Sequence, residues 1–361
     1  MTPEQYNRLK NNLMTELPPY VRNFVYTSQK SNSTIYQYLS EIKRFFQWLI
    51  SAGISDETDV KYISIPTLAK IRKSDILAFI DELASKPNRQ GRTNSPVSIN
   101  RSLNCLRTFF NYLAIDSASD TDNGQPLLMR SPMLGVASMN SHQTLSYRAK
   151  NLEDKMYLGN LKFEFLDFIN KEYENTIADN KHKLTRFKQN KVRDLALIAL
   201  MAGTGVRVSE AANANVQDLS ITKASLTVVR KGGERDAVPI APWTLPYLND
   251  YVQNRETLYP NVGKEQALFV AGKSKVNRIS TAAIENLVAK YSQAFGRPIT
   301  PHKLRHTIAS ELYQISKDQV AVAQQLGQKG TSATALYTHV QDEVRRDMLQ
   351  QISQSTPNKT Q

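Results

Sequence analysis

Residues 33–51, STIYQYLSEIKRFFQWLIS, place Ile35, Leu39, Ile42, Phe46 and Leu49 at the spacing of one helix face. Ser33 is the expected N-cap, and Gly53 lies just past the end. The segments 74–84 and 97–114 repeat the pattern, the second with Ile99, Leu103, Leu106, Phe110 and Leu113 as its apolar stripe. With a weaker helix near residues 3–16, they predict a small all-helical bundle. From 115 to 150 the periodicity dissolves into Asp, Ser, Asn, Gly and Pro, the composition of a connection. We therefore expect a helical domain over 1–115, a linker over 116–150 and a second domain over 151–361.

In the second domain helical spacing resumes at 152–171, and a basic stretch at 181–194 precedes the apolar run LALIALMAG. A buried helix is expected from Asp194 to Ala202, broken by Gly203-Thr204-Gly205, with another opening around Arg207 to Glu210. Residues 225–241 alternate as two short strands around Lys231-Gly232-Gly233-Glu234, a hairpin with glycine at its turn. Thr300 and Pro301 then read as N-cap and first position of a helix whose core stripe is Leu304, Ile308 and Leu312. Near the end, one helix stops at Gly327 and a new one, capped near Thr331, carries Tyr337. The expected fold class is mainly α with a small antiparallel β-sheet in the second domain.

At 361 residues the chain exceeds what one core supports, which agrees with two domains. Lys and Arg number 46 against 33 Asp and Glu, a net charge of +13 that suits a polyanionic partner, nucleic acid first. Residues 1–150 hold 18 basic and 12 acidic side chains, and residues 151–361 hold 28 and 21, so both halves share the excess. That distribution suits a ligand held between two folded parts better than a single basic tail. The only cysteine, Cys105, rules out a disulfide scaffold or a cysteine-based metal site. No signal-peptide stretch opens the sequence, and no apolar run approaches the ~20 residues that span a bilayer, so a cytoplasmic protein without membrane insertion is expected.

Candidate chemistry follows from where charged residues fall. In the first domain Lys43, Arg44, Arg101 and Arg107 lie off the apolar stripes, where they suit DNA phosphates or, equally, a solvated basic face. Arg207 emerges beside a glycine turn at a helix start, where backbone amides and a guanidinium fork can meet one phosphate. Lys231 sits at a hairpin tip, from which an ammonium can donate a proton to a leaving oxygen. His302 and Arg305 share a helix face, so both can bond one phosphate, and the imidazole can also move a proton. The sequence HKLRH lacks the glutamate of HExxH, which removes a zinc-protease reading. With five histidines and no cysteine cluster, no metal or other cofactor site is read. Each feature alone has an ordinary structural explanation, and Tyr337 alone is a packing residue.

Together these residues resemble the tyrosine recombinase (phage integrase) family in order and spacing. The family pattern is an arginine in a GTGxR-type turn, a hairpin lysine, HxxR, then LG followed by His or Trp, and a tyrosine nine residues later. Here the pattern falls on Arg207, Lys231, His302 with Arg305, Leu326-Gly327 with Gln328, and Tyr337. YLSEIKRFFQWL, RKGGERDAVPIA and TPHKLRHT further resemble the Xer branch, especially its single-protein XerS type. Gln328 departs from the pattern; an amide there can still donate a hydrogen bond to a non-bridging oxygen.

The resemblance implies a helical core-binding domain followed by a catalytic domain, and a reaction with no metal or ATP. Tyr337 would attack a phosphodiester to form a 3′-phosphotyrosine, with Arg207 and Arg305 on the non-bridging oxygens and Lys231 protonating the 5′-hydroxyl. His302 would accept a proton or bond the phosphate. Implied partners are double-stranded DNA, a homotetramer on two sites and an FtsK-type DNA translocase, in chromosome dimer resolution at a dif-like site. Alternatives are a mobile-element integrase, for whose arm-binding domain the segment before residue 20 leaves little room, and a non-catalytic DNA-binding paralogue.

Overall fold

In a computed structural model, which describes residues 3–87, 91, 93–139, 144–153, 155–230, 232–260, 262–263, 265–272, 276–328, 330–331, 334 and 337, the chain divides into two units, Met1–His142 and Gln143–Gln361. In the first unit six helices are described: α1 (Pro3–Thr15), α2 (Pro19–Thr27), α3 (Asn32–Ser51), α4 (Ile65–Lys70), α5 (Lys73–Ser85) and α6 (Pro96–Ala114). The stripes expected on α3 and α6 are buried from end to end. Phe45 meets Phe110 edge-on at 5.9 Å, and Phe46 meets Phe109 in the same way at 6.1 Å. Helix α3 starts two residues earlier than expected: Ser31, not Ser33, accepts the amide of Thr34. Ser33 then lies in the first turn, where its hydroxyl meets that of Ser31.

The polar stretch after residue 115 does not behave as one open linker. Leu128, Met133 and Val136 are buried in the same core as α3 and α6. Leu128 donates its amide to the Leu113 carbonyl at 2.9 Å, and Asn100 exchanges two hydrogen bonds with the backbone of Met139. Three apolar anchors and these polar ties fold the stretch back onto the bundle, so the division falls at 142/143.

The second unit contains α7 (Leu145–Glu153), α8 (Leu161–Asp167), α9 (Tyr173–Thr176), α10 (Lys181–Thr204) and α11 (Val208–Asn213). A three-stranded antiparallel sheet follows, β1 (Leu219–Ser220), β2 (Ser225–Val229) and β3 (Arg235–Pro239), in the order β1-β2-β3. Then come α12 (Leu245–Leu258), α13 (Thr281–Ala294), α14 (Pro301–Ser316) and α15 (Gln319–Leu326). The basic stretch 181–194 is the first half of α10, capped by Asn180, which accepts the Lys183 amide. Its second half is buried continuously from Leu195 to Met201 and packs on α12 and α14. Where α10 enters the core, Arg193 bonds Asp194 and donates to the carbonyls of Val270 and Ala271, while Tyr291 donates to the other Asp194 oxygen at 2.7 Å. A buried pair is tolerable only when satisfied in this way.

Candidate active site

The site is built where the ends of α10 and α15 meet the starts of α11 and α14. Gly205 ends α10 at φ +70°; a Cβ there would lie 2.7 Å from Cγ2 of Ile308 and 2.9 Å from Cδ2 of Leu326. Glycine is thus required both by backbone conformation and by close packing. The chain then turns into α11 with Arg207 as N-cap. Glu210 folds back to accept the Arg207 amide and its guanidinium, each at 2.7 Å.

The same carboxylate also holds Arg230, at the end of β2. Arg230 Nη1 donates to Glu210 Oε2 at 3.1 Å, Nη2 to the Gln325 carbonyl at 3.1 Å, and Nε to Asp236 at 2.9 Å. Gly327, at φ +58°, leaves room for this side chain: a Cβ there would lie 2.2 Å from Arg230 Nε. Lys231, the next residue, lies outside the described residues.

Thr300 caps α14 by accepting the Lys303 amide, with Pro301 at the first turn as expected. Arg305, 5% exposed, donates to the carbonyls of Gly205 and Leu326, both at 2.6 Å. Arg207 Nη2 reaches the next carbonyl, Gly327, at 3.3 Å. With Arg230 on the Gln325 carbonyl, Arg207 and Arg305 therefore complete a set of three guanidiniums that grip the carbonyl-rich, negative end of α15. Each keeps N–H groups of its five-donor fork beyond these bonds. Burial, then the charge of Arg207, pulls Arg305 down to about 10, so it remains a cation at neutral pH.

Tyr337 is 4% exposed and packs in a small cluster with Ala309, Val322 and Leu326. Its amide bonds the Thr334 carbonyl at 2.9 Å; the short helix expected around it falls mostly outside the described residues. Its hydroxyl lies 2.7 Å from Nδ1 of His306, and Nε2 of His306 lies 3.1 Å from Nε2 of His302. Burial pushes the Tyr337 phenol up to about 12, with Arg305 opposing. Burial, then His302, Lys303 and Arg305, pushes His306 down to about 3. His302 is lowered too, by burial and by Arg305, Lys303 and Arg207.

Gln328 donates its amide to the Ala323 carbonyl at 2.9 Å, and its side-chain Oε1 is buried without a partner among the described residues. Arg207, His302, Arg305, Gln328 and Tyr337 thus lie on adjoining elements of one unit. Three further members escaped the sequence reading: Glu210, Arg230 and His306. Each had a signal. Glu210 stands three residues after Arg207, Arg230 precedes Lys231, and His306 is one helical turn beyond His302.

The basic residues of the first unit are differently placed. Lys43 pairs with Glu16, and Arg44 pairs with Glu41, whose other oxygen accepts from Ser102 of α6. Arg107 bonds Asn104 and the Val136 carbonyl, while Arg101 is exposed. Among the described residues no group of three or more His, Cys, Asp or Glu side chains could hold a metal ion, and no helix is long and apolar enough to cross a membrane.

Arginines and two histidines gathered around a buried tyrosine are the residue types that breaking and rejoining a phosphodiester through a protein-bound intermediate would call for. Residues 167–344, which contain the whole set, match the Phage integrase family. The chain belongs to this family, the tyrosine-type site-specific DNA recombinases. Within it, the chain is 38% identical to tyrosine recombinase XerS of Lactococcus lactis, over 98% of this chain and 100% of the relative. It is 41% identical to XerS of Streptococcus uberis, over 89% of this chain and 91% of the relative. A crystal structure of XerH site-specific recombinase bound to a palindromic difH substrate, a post-cleavage complex, shares the fold with a TM-score of 0.62. It is 18% identical, over 88% of this chain and 78% of the other.

Proposed function

We propose that this recombinase cuts DNA through Tyr337 and resolves chromosome dimers at a dif-like site in the cytoplasm. The observation that carries the catalytic part is the link from the Tyr337 hydroxyl through His306 to His302, beside the guanidiniums of Arg207 and Arg305. In-line attack by Tyr337 on a phosphorus gives a 3′-phosphotyrosine. Arg207 and Arg305 neutralise the non-bridging oxygens with their remaining N–H groups, Gln328 adds an amide donor, and Lys231 protonates the departing 5′ oxygen. Because one phosphoester replaces another, the link stores the energy for rejoining by a 5′-hydroxyl of the partner duplex.

The chromosomal role is supported by the XerS relatives, which match nearly the whole chain. It brings with it a homotetramer on two sites, the first unit and the second each holding DNA, and an FtsK-type translocase as partner. The catalytic test is a duplex selected by the protein from a random-sequence pool and nicked so that cleavage is trapped. A covalent complex with wild type, absent with Tyr337→Phe, is expected; no complex with wild type refutes the proposal. For the chromosomal role, the selected sequence should occur once near the replication terminus. Paired unlike sites flanking an inserted element would point to integration instead.

A further inference from the structure

The mechanism proposed above needs an acceptor for the tyrosine proton, and the arrangement around Tyr337 contains a residue to which no part of that mechanism has been given. The Tyr337 hydroxyl is buried, and His306 Nδ1, 2.7 Å away, is the one acceptor that the described residues offer its proton. This fixes the direction of the chain of bonds. If Nδ1 accepts from tyrosine, the proton of a neutral imidazole is on Nε2, and Nε2 donates to His302 Nε2 at 3.1 Å. The two rings are 4.4 Å apart at their centroids, one helical turn from each other on α14. Because His302 is exposed and His306 half-buried, the ladder runs from the buried nucleophile outward.

We infer that His306 is a further catalytic residue, which relays the proton of Tyr337 to His302 as the tyrosine attacks DNA. As the Tyr337 Oη–P bond forms, the hydroxyl proton passes to His306 Nδ1 and the Nε2 proton of His306 passes to His302 Nε2. The P–O5′ bond breaks, and the 5′ oxygen takes the bonding pair together with a proton from the acid proposed above, Lys231. His306 ends as it began, a neutral imidazole in its other tautomer, and the positive charge appears on His302, next to the phosphate. Burial, then His302, Lys303 and Arg305, disfavours a cation on His306, and a concerted relay never places one there. Rejoining runs the same path in reverse.

The inference rests on Tyr337 being the nucleophile, and the test separates the two. Covalent complex formation is followed in single turnover on the selected, nicked duplex, from pH 6.5 to 9.5. His306→Asn keeps an acceptor near the Nδ1 position but has no second nitrogen to pass a proton on. It should cleave roughly 100-fold more slowly than wild type at pH 7. Its rate should climb about tenfold per pH unit, since solvent hydroxide must then remove the phenol proton, whereas wild type stays nearly flat. Sulfur in place of the leaving 5′ oxygen, which relieves the need for an acid, should not restore it.

His302→Ala should show the same slope, and the double variant should be no slower than the slower single, because the two residues act in series. Wild-type rate and pH profile in a His306→Asn protein that still binds the duplex overturns the relay while leaving the nucleophile intact. So do multiplying losses in the double variant. A covalent complex that persists in Tyr337→Phe, or none with wild type, overturns both. Should His306→Asn fail to bind DNA, the pH slope of His302→Ala decides.

Discussion

Arg207 and Arg230 share one buried carboxylate, each on its own oxygen of Glu210 at 2.7 and 3.1 Å. One side chain thereby sets the positions of two cations drawn from a helix start and a strand end. Removing its charge leaves two guanidiniums facing each other without the carboxylate between them. Breaking such a pair from one side costs about 3–5 kcal/mol when fully buried; because Arg207 is one-third exposed and Asp236 still pairs with Arg230, the lower end is expected. Glu210→Gln should lower the melting temperature by several degrees and slow covalent trapping at least tenfold. Unchanged melting would show that the bridge carries no stability.

Gly327 is needed twice, for its left-handed backbone and for the space that Arg230 fills. Gly327→Ala adds a strained φ of about 1 kcal/mol or more, and forces Arg230 away from Glu210 and the Gln325 carbonyl. A loss of more than about 2 kcal/mol in urea unfolding is expected, with trapping reduced in parallel. Arg230→Ala should relieve part of the clash, so the double variant should be less unstable than the sum of the singles.

Stability should fall on both sides of neutrality for opposite reasons. His306 binds its proton near pH 3 in the folded chain against 6.5 ordinarily, so its contribution is complete above pH 6.5 and declines as pH drops toward 3. His302 is displaced in the same direction. Tyr337 holds its proton to about 12 against 10, so its contribution is complete below pH 10 and is lost between 10 and 12. Urea midpoints between pH 7 and 5 should therefore fall less steeply in His306→Gln than in wild type, and Tyr337→Phe should flatten the alkaline limb. Parallel slopes would remove His306 as a source of the acid limb.

The first unit offers a graded test of DNA contact. Arg101 is exposed, whereas Lys43 and Arg44 are already paired with Glu16 and Glu41. If Arg101 neutralises a phosphate, Arg101→Ala should reduce the salt slope of binding by about one and weaken affinity equally for all sequences. Glu16→Gln frees Lys43 and should strengthen binding. A salt slope unmoved by Arg101→Ala would assign that face to solvent.

How much of this was legible depended on the range of the interaction. The stripes of α3 and α6 and the cap of α14 repeat every turn or lie within three residues, so the sequence displays them directly. Helices α2 and α4 are short and enter through Pro18-Pro19 and Pro66, which read as turns. Leu128, Met133 and Val136 sit singly among polar residues, and only the bundle they pack on gives them meaning. His306 was visible as a histidine, but its partner stands 31 residues away, as Arg230 stands 20 from Glu210. No local spacing rule reaches that far.

Gln328 is where this chain departs from the family pattern, and its backbone is held independently of its side chain. The amides of Gly327 and Gln328 close onto the carbonyls of Gln324 and Ala323, ending α15 in a Schellman arrangement. A substitution at Gln328 therefore changes side-chain chemistry with the main chain pinned. Its buried Oε1 has no partner among the described residues, a state that costs about 1–3 kcal/mol, and a phosphate cannot donate to it. If the side chain acts on a phosphate as proposed, only its amide N–H groups can do so, at the expense of stranding that oxygen. Gln328→Leu should then raise or preserve the melting temperature but slow trapping by about 10²-fold, the loss of one transition-state donor. Gln328→His removes the stranded acceptor while keeping a donor, and should gain on both measures. Trapping by Gln328→Leu at the wild-type rate would mean that the side chain donates nothing to the reaction and that the two arginines hold the phosphate alone.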